Sequence, residues 1–483
     1  MMTREQGQDM SGNPAQPQLR HALGTRDVTL LMVTACCSPQ WAALAAAAGP
    51  SSLAVWVVGG LTMFVPIAVC VVFLSSRHPD EGGLYVWSKL AFGPAAGFMT
   101  GWLYWIGATP FITGLLYFAA GSTLYLAGSP DSDMASSPAW FIGFSLVTLA
   151  LVLWLNIRGL GVGKWLHNAG AVARWLETLL LVVLGIAIFT HFGPSVPLTG
   201  ETMTPGFRLQ DWIFWGTIAF AWTGAEAASF MGGEIRDAQR TIPRALALAA
   251  PMIAAVYLLS TASIVVSVDP ASMNALFGVM EAIRISAERL GLAWLIPVGA
   301  VLVIVDRIGG VGLWIGAGAR IPFVAGLDRF LPAGFGRVHP RYGSPVFSLC
   351  TLCGVIALLA VIGQAGTTVR GAYNVLVDMM VIGTMLPFLA LFGSAIRLSG
   401  GPPVAGEARI PGGRATIVTM ALVGLATTVA AIGFAFLPKP GETHPVLAMT
   451  KLVVGTAALI GIGALIYVVG SARARRSPPA APA

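Results

Sequence analysis

Charge is what this sequence has least of. Of its 483 residues only 10% are Asp, Glu, Lys or Arg, while 56% are hydrophobic; a soluble domain carries about 25% charged residues. So few charges cannot cover a surface facing water, which excludes a soluble globular domain. Cysteine is scarce too, with five residues at 36, 37, 70, 350 and 353, all within apolar runs. Cys350 and Cys353 form a C-x-x-C, but neither a second pair nor a His cluster accompanies them. Packing of two small polarizable side chains explains them better than zinc or redox chemistry. No G-x-x-x-x-G-K-[ST] loop occurs, so nothing points to a nucleotide drive. No nucleophile–base pair or metal-spaced ligand set lies in the apolar runs either, so no enzyme, cofactor or metal is expected. The net charge of +7 does not indicate nucleic acid, because the basic residues follow membrane topology.

Apolar runs of about 20 residues, each able to span roughly 30 Å of hydrocarbon, recur along the chain. Twelve are expected, near 28–48, 54–75, 95–127, 138–156, 168–191, 211–233, 243–267, 291–318, 345–363, 373–397, 416–436 and 446–470. The third and eighth are long enough to tilt or to include a turn. With the N-terminus in the cytoplasm, most of the 28 basic residues fall on the inner side, among them Arg77, Arg158, Arg236, Arg240, Arg337, Arg341, Arg397 and Arg409. That is the positive-inside pattern, and one missed span early in the chain would scramble it. The outer side offers "SPDSDM", with Asp131 and Asp133, and the Pro-rich "HFGPSVPLTGETMTPG". Residues 1–26 read as a disordered cytoplasmic tail without the apolar core of a cleavable signal. Residues 27–397 would form a core of ten spans, 398–470 two peripheral spans and 471–483 a basic tail. Compact loops and short tails suggest a bacterial-type inner membrane.

Few ionisable residues enter the spans. Arg174 and Glu177 lie in the fifth, Glu226 in the sixth, Asp306 and Arg307 in the eighth, and Asp378 in the tenth. Such residues usually face a bundle interior or a watery path and are functional candidates. Arg174 and Glu177, at i and i+3, would also neutralise each other. Asp306 and Arg307 are adjacent, so both are expected to find partners elsewhere, and Glu226 and Asp378 have no local counterion. Helix breakers add a second signal: the first span contains "TACCSPQWAALAAAAG" and the sixth "FAWTGAEAASFMGGEI". The two occupy matching places in two five-helix halves, which in secondary transporters marks the binding site. Unwound backbone at membrane depth is tolerable where it lines a cavity. A proline kink with small residues for close helix packing is the alternative.

Three stretches resemble the amino acid–polyamine–organocation (APC) superfamily of permeases: "RHPDEGGLYVWSKLAFGPAAGFMTGWLYW" (77–105), "FAWTGAEAASFMGGEIRDAQRTIPRA" (220–245) and "GARIPFVAGLDRFLPAGFGRVHPRYGSP" (318–345). The resemblance implies an all-α polytopic membrane protein with 12 transmembrane helices. Ten would form a 5+5 inverted-repeat, leucine-transporter-like core, with two peripheral helices. It also implies a small-molecule substrate held between broken spans 1 and 6, with spans 3, 8 and 10 contributing. Trp222, Thr223, Gly224 and Ala225 fall on the unwound part of span 6, and Glu226 on a glutamate associated with proton sensing. Arg174 lies near a fifth-span lysine that in some members replaces a sodium ion; arginine would supply the charge without shuttling a proton. In span 1, Ser38 and then Pro39-Gln40-Trp41 stand where many relatives bind a carboxylate through Gly-Ser-Gly. Either Gln40 and the remaining amides take over, or the substrate is not an ordinary α-amino acid. The inner loop "GGLYVWSKLAFG" reads as a helix closing the inner vestibule or as an interfacial anchor through Tyr85 and Trp87.

The function expected is secondary transport of amino acids or related amines by alternating access, coupled to protons or run as exchange, with Glu226, Arg174, Asp306 and Asp378 as coupling candidates. A polyamine or cationic-amine carrier is the first alternative, with Asp378, Asp306 and Glu226 facing the cation. A non-transporting membrane sensor on the same fold is the second.

Overall fold

The structure, a computed structural model, describes residues 23–78, 82–127, 132–270, 273, 276–319, 322, 330–402, 404, 407–437 and 444–476. The tail expected over 1–26 therefore lies outside the described residues up to position 22, as do 477–483 of the basic tail. Residues 79–81, 129–131, 320–321 and 323–329 of the stretches quoted above, Asp131 among them, lie outside them too.

Among the described residues the chain is helical and holds no strand beyond a single bridge between Leu23 and Ile235. Eleven helices are long and apolar enough to cross a membrane. In chain order they supply spans 1 to 5 (Thr25–Ala46, Ser51–Arg77, Pro94–Ala127, Pro138–Ile157, Trp165–Phe192) and 7 to 12 (Ala238–Ser267, Leu295–Gly318, Val346–Gly363, Val369–Leu398, Gly413–Ala435, Pro445–Arg473). The sixth expected run differs. Its helix, Leu209–Ala221, has 13 residues, about 20 Å at 1.5 Å per residue, and is too short to cross alone. A 3₁₀ stretch, Ala225–Glu234, continues it.

Helix starts follow local chemistry. Pro94 and Pro138 sit in first turns, where no backbone donor is missed. The Thr368 hydroxyl caps span 10 by accepting from Gly371 N at 3.0 Å. Enclosure separates the helices: 83% of the apolar window of span 3 is buried, 78% of span 1 and 72% of span 10, against 11% of span 12. The core is thus built around spans 1, 3 and 10. Span 11 leans on span 2 through Thr427 Oγ1, which donates to Thr62 O at 2.9 Å. Span 12 accepts at Leu459 O from Trp102 Nε1 of span 3, also at 2.9 Å.

Two glycine pairs let core helices touch backbone to backbone. A Cβ on Gly107 of span 3 would lie 2.6 Å from the Gly383 carbonyl of span 10, and one on Gly170 of span 5 would lie 2.7 Å from Gly309 Cα of span 8. Dispersion and close approach hold helices together where lipid offers no hydrophobic gain.

One face of the bundle gathers the segments whose basic residues the sequence assigns to the inner side. Arg236 N donates to Leu23 O at 2.9 Å, Gln239 Nε2 to Ser76 O at 2.8 Å, and Arg77 pairs with Glu407 at 3.2 Å. The loop helix Leu84–Phe92 belongs here. Tyr85 and Trp87 are buried, with Trp87 Nε1 bonded to His78 O at 3.2 Å. They face protein, which removes the interfacial-anchor reading of these two rings.

Candidate functional site

Span 1 is broken in two. Its first helix runs Thr25–Cys36 and its second Pro39–Ala46, with Cys37 and Ser38 extended between them. The break therefore precedes Pro39-Gln40-Trp41, which form the first turn of the second helix. Proline fits at that position because the first turn needs no backbone donor.

Span 6 breaks at the same level. Helix Leu209–Ala221 ends, Trp222 and Thr223 turn, and Gly224 takes φ +118° before the 3₁₀ segment begins. Only glycine holds that φ readily. A Cβ there would also press on Ala35 and Cys36 backbone at 3.1–3.2 Å, so spans 1 and 6 meet at their breaks. The Tyr257 hydroxyl of span 7 lies within hydrogen-bond distance of both Cys36 O and Ala221 O, sharing its one proton between the last carbonyls of the two half-helices.

Beside the breaks lies a cavity of about 50 Å³, lined from spans 1, 3, 6, 8 and 10. Space on that measure suits about four water-sized atoms. Trp41, Tyr104, Phe111, Phe220 and Trp314 supply aromatic walls, and Thr223, Gly224, Thr384 and Glu226 the polar points. Trp41 stacks on Phe111 at 6.2 Å and meets Phe220 edge-on at 5.4 Å. Glu226 is the one charged lining residue among those described. Its Oε2 accepts from Gly224 N at 2.7 Å and its Oε1 from the Tyr104 hydroxyl at 3.1 Å. The lone acid is therefore bound to the break itself and to span 3.

The candidate residues separate into three groups. Trp41, Thr223, Gly224 and Glu226 line the cavity. Trp222 does not; its ring packs over Gly59 and Gly60 of span 2, and its Nε1 donates to Trp56 O at 3.0 Å. Pro39, Gln40 and Ala225 are buried beside the breaks without lining the cavity, as is Ser38. Asp378, buried in span 10, sits six residues before the lining residue Thr384, about 9 Å along the helix.

Arg174, Asp306, Glu177 and Arg307 make one network. Arg174 Nε donates to Asp306 Oδ1 at 2.9 Å, and its Nη1 to Thr34 O at 2.5 Å and Cys37 O at 3.0 Å. Arg307 Nη1 donates to Asp306 Oδ2 at 2.6 Å and to Ser38 Oγ at 3.0 Å; Nη2 donates to Glu177 Oε1 at 2.9 Å. Asp306 and Arg307 thus each find a partner in span 5, as expected, but they also bond one another, which adjacency on a helix did not lead us to expect. The long arginine side chain folds back onto its neighbour, and both acids are shared between spans 5 and 8. Two positive and two negative groups balance, as buried charge requires.

Tyr104 and Phe111 were missed from the sequence, since an aromatic residue in an apolar run carries no distinguishing signal.

The comparisons with known proteins agree with this architecture. A family model described as "Amino acid permease" matches residues 23–461. An uncharacterized transporter of Legionella pneumophila is 28% identical over 422 residues, covering 87% of this chain and 90% of that protein. Human Asc-type amino acid transporter 1 is 23% identical, covering 66% of this chain and 60% of that protein. Among solved structures, MhsT in complex with L-phenylalanine shares the fold with a TM-score of 0.59 at 14% identity, over 84% of this chain and 98% of that one. The chain belongs to the amino acid permease family: it is a multi-pass membrane transporter, not an enzyme.

Proposed function

For a member of the amino acid permease family with this cavity, we propose secondary transport of an amino acid or related amine, driven by protons or by exchange. The observation that carries the reading is the pair of breaks in spans 1 and 6 facing one cavity. An ammonium group entering there meets Glu226, five aromatic rings and the Tyr104 hydroxyl. Carboxylate and rings both favour a cation. Glu226 would exchange its bond to Gly224 N or Tyr104 for the amine, changing protonation or partner as the site turns from one face to the other. Arg174 supports a drive other than sodium, because its guanidinium already occupies the carbonyls of Thr34 and Cys37 that a cation would need. Asp306 and Asp378 remain coupling candidates of this proposal, as do both termini in the cytoplasm of a bacterial-type inner membrane.

A cationic-amine carrier is the second reading. It is favoured by the absence of any basic side chain in the lining among the described residues, which leaves a carboxylate without a charged partner there.

The test is uptake by purified protein in liposomes, with radiolabelled amino acids and polyamines under imposed pH or sodium gradients. Accumulation driven by the pH gradient or by trans substrate is expected, unchanged when sodium is replaced by choline. Indifference to every solute and gradient would sink the transporter reading; sodium-driven uptake would remove the role given to Arg174.

A further inference from the structure

Three buried carboxylates lie near the span 1 and 6 breaks, and their surroundings differ. Glu226 has a donor on each oxygen. Asp306 has an arginine on each oxygen. Glu177 has Arg307 on Oε1 only, and its Oε2 is fully buried with no hydrogen-bond partner among the described residues. Arg307 Nε is likewise without one. A buried carboxylate oxygen lacking a donor carries its desolvation penalty uncompensated. A proton on that oxygen removes the charge instead of solvating it.

We propose that Glu177 is a second proton-binding carboxylate, separate from Glu226, which reports its protonation to the break in span 1 through Arg307 and Ser38. This rests on the proton-coupled reading above. The groups facing Glu177 are known from each packed element. Span 8 presents Asp306 and Arg307, and span 5 itself presents Arg174. Span 1 presents Ser38 and span 3 the Phe118 ring to the Arg307 guanidinium, and span 10 carries the buried Tyr373. Span 7 contributes Tyr257, which is bonded at the breaks. In the outer helix Gly278–Arg289, Glu281 bonds Tyr125 and Arg284, Glu288 bonds Arg284, and Arg289 lies over Phe192.

With Glu177 ionised the four-charge network is neutral, and Arg307 is held by Glu177, Asp306, Ser38 and the face of Phe118. When a proton from water adds to Oε2, one O–H bond forms, the network gains one positive charge, and the hold of Glu177 on Nη2 weakens. Arg307, still bonded to Asp306, can then move away from Glu177, and its Nη1 bond to Ser38 Oγ shifts with it. Ser38 is one of the two extended residues on which span 1 pivots. A small space of about 10 Å³, bounded by Arg174, Thr34, Cys37 and Thr178 and by apolar side chains, adjoins the Arg174 end of the network, a volume of about one water-sized molecule.

The proposal is read in two ways. Glu177→Gln should fold and take up substrate but lose at least half of the wild-type change in rate between acid and neutral pH, while Glu177→Asp, still titratable, keeps it. Infrared spectra of the reconstituted protein give a readout independent of transport. The difference between the Glu226→Gln spectra and those of the Glu177→Gln/Glu226→Gln double variant should contain one carboxylic-acid carbonyl band that titrates, the other carboxyls cancelling. A difference spectrum without such a band, or a Glu177→Gln pH profile that superimposes on wild type, overturns the proposal. If wild type shows no gradient-driven uptake yet the band behaves as stated, the coupling reading has failed and the proton site stands.

Discussion

At Gly224 two constraints fall on one residue, the left-handed φ and the backbone of span 1 at van der Waals distance. Alanine there meets both. We expect Gly224→Ala to cost about 1–3 kcal/mol, seen as a lower melting temperature in detergent, and to abolish uptake even where the protein remains folded. Glu226→Gln is a milder change. Its amide oxygen can still accept from Gly224 N, and its NH₂ can face the Tyr104 oxygen. Binding should survive but weaken about tenfold or more, as loss of a charged partner worth ~1.5–3 kcal/mol implies, and uptake should vary less with pH. Saturation binding and uptake across pH check both. An affinity equal to wild type would take Glu226 out of substrate contact. At this scale the sequence was only half legible. Glu226 stood out because an acid is rare in an apolar run, and Gly224 because it stands beside that acid in a stretch matched by the break in span 1. Tyr104 did not, and Trp222 pointed the wrong way because nothing in its neighbours announces the glycines of span 2 that receive it.

For elements, hydropathy is a strong signal, since each helix must satisfy its own backbone in lipid. The expected runs and the observed helices therefore coincide within a few residues, span 6 excepted. There the helix ends where Gly224 breaks it. The first span shows how a proline misleads. Pro39 suggests a break at itself, but its fixed φ suits a helix start, so the break lies just before it at Cys37 and Ser38. Pro39→Ala should consequently change thermal stability by less than about 1 kcal/mol, with uptake retained. Loss of folding or uptake would show that the proline ring, rather than the extended pair, sets the break. Pairing across elements was the least legible feature. The Arg174–Asp306 and Arg307–Glu177 bonds join residues 132 and 130 positions apart, a distance no local spacing rule spans.

For the whole molecule, the positive-inside count predicts which face is which, and the fold groups those residues consistently. Leu23, Ser76, Arg77, Ile235 and Glu407 meet on one face. Fluorescent-protein fusions at either end should be bright, and alkaline-phosphatase fusions at either end inactive. An active phosphatase at one end only would overturn the even number of crossings.

The bridge between Leu23 and Ile235 has a consequence for timing. It is one main-chain bond, Arg236 N to Leu23 O, between the inner ends of the two broken spans. A net contribution of about 1 kcal/mol shifts an equilibrium roughly fivefold. A catch of that strength lifts by thermal motion many times in each turnover. On the transport reading proposed above, this bridge by itself is therefore too weak to set the pace of the cycle.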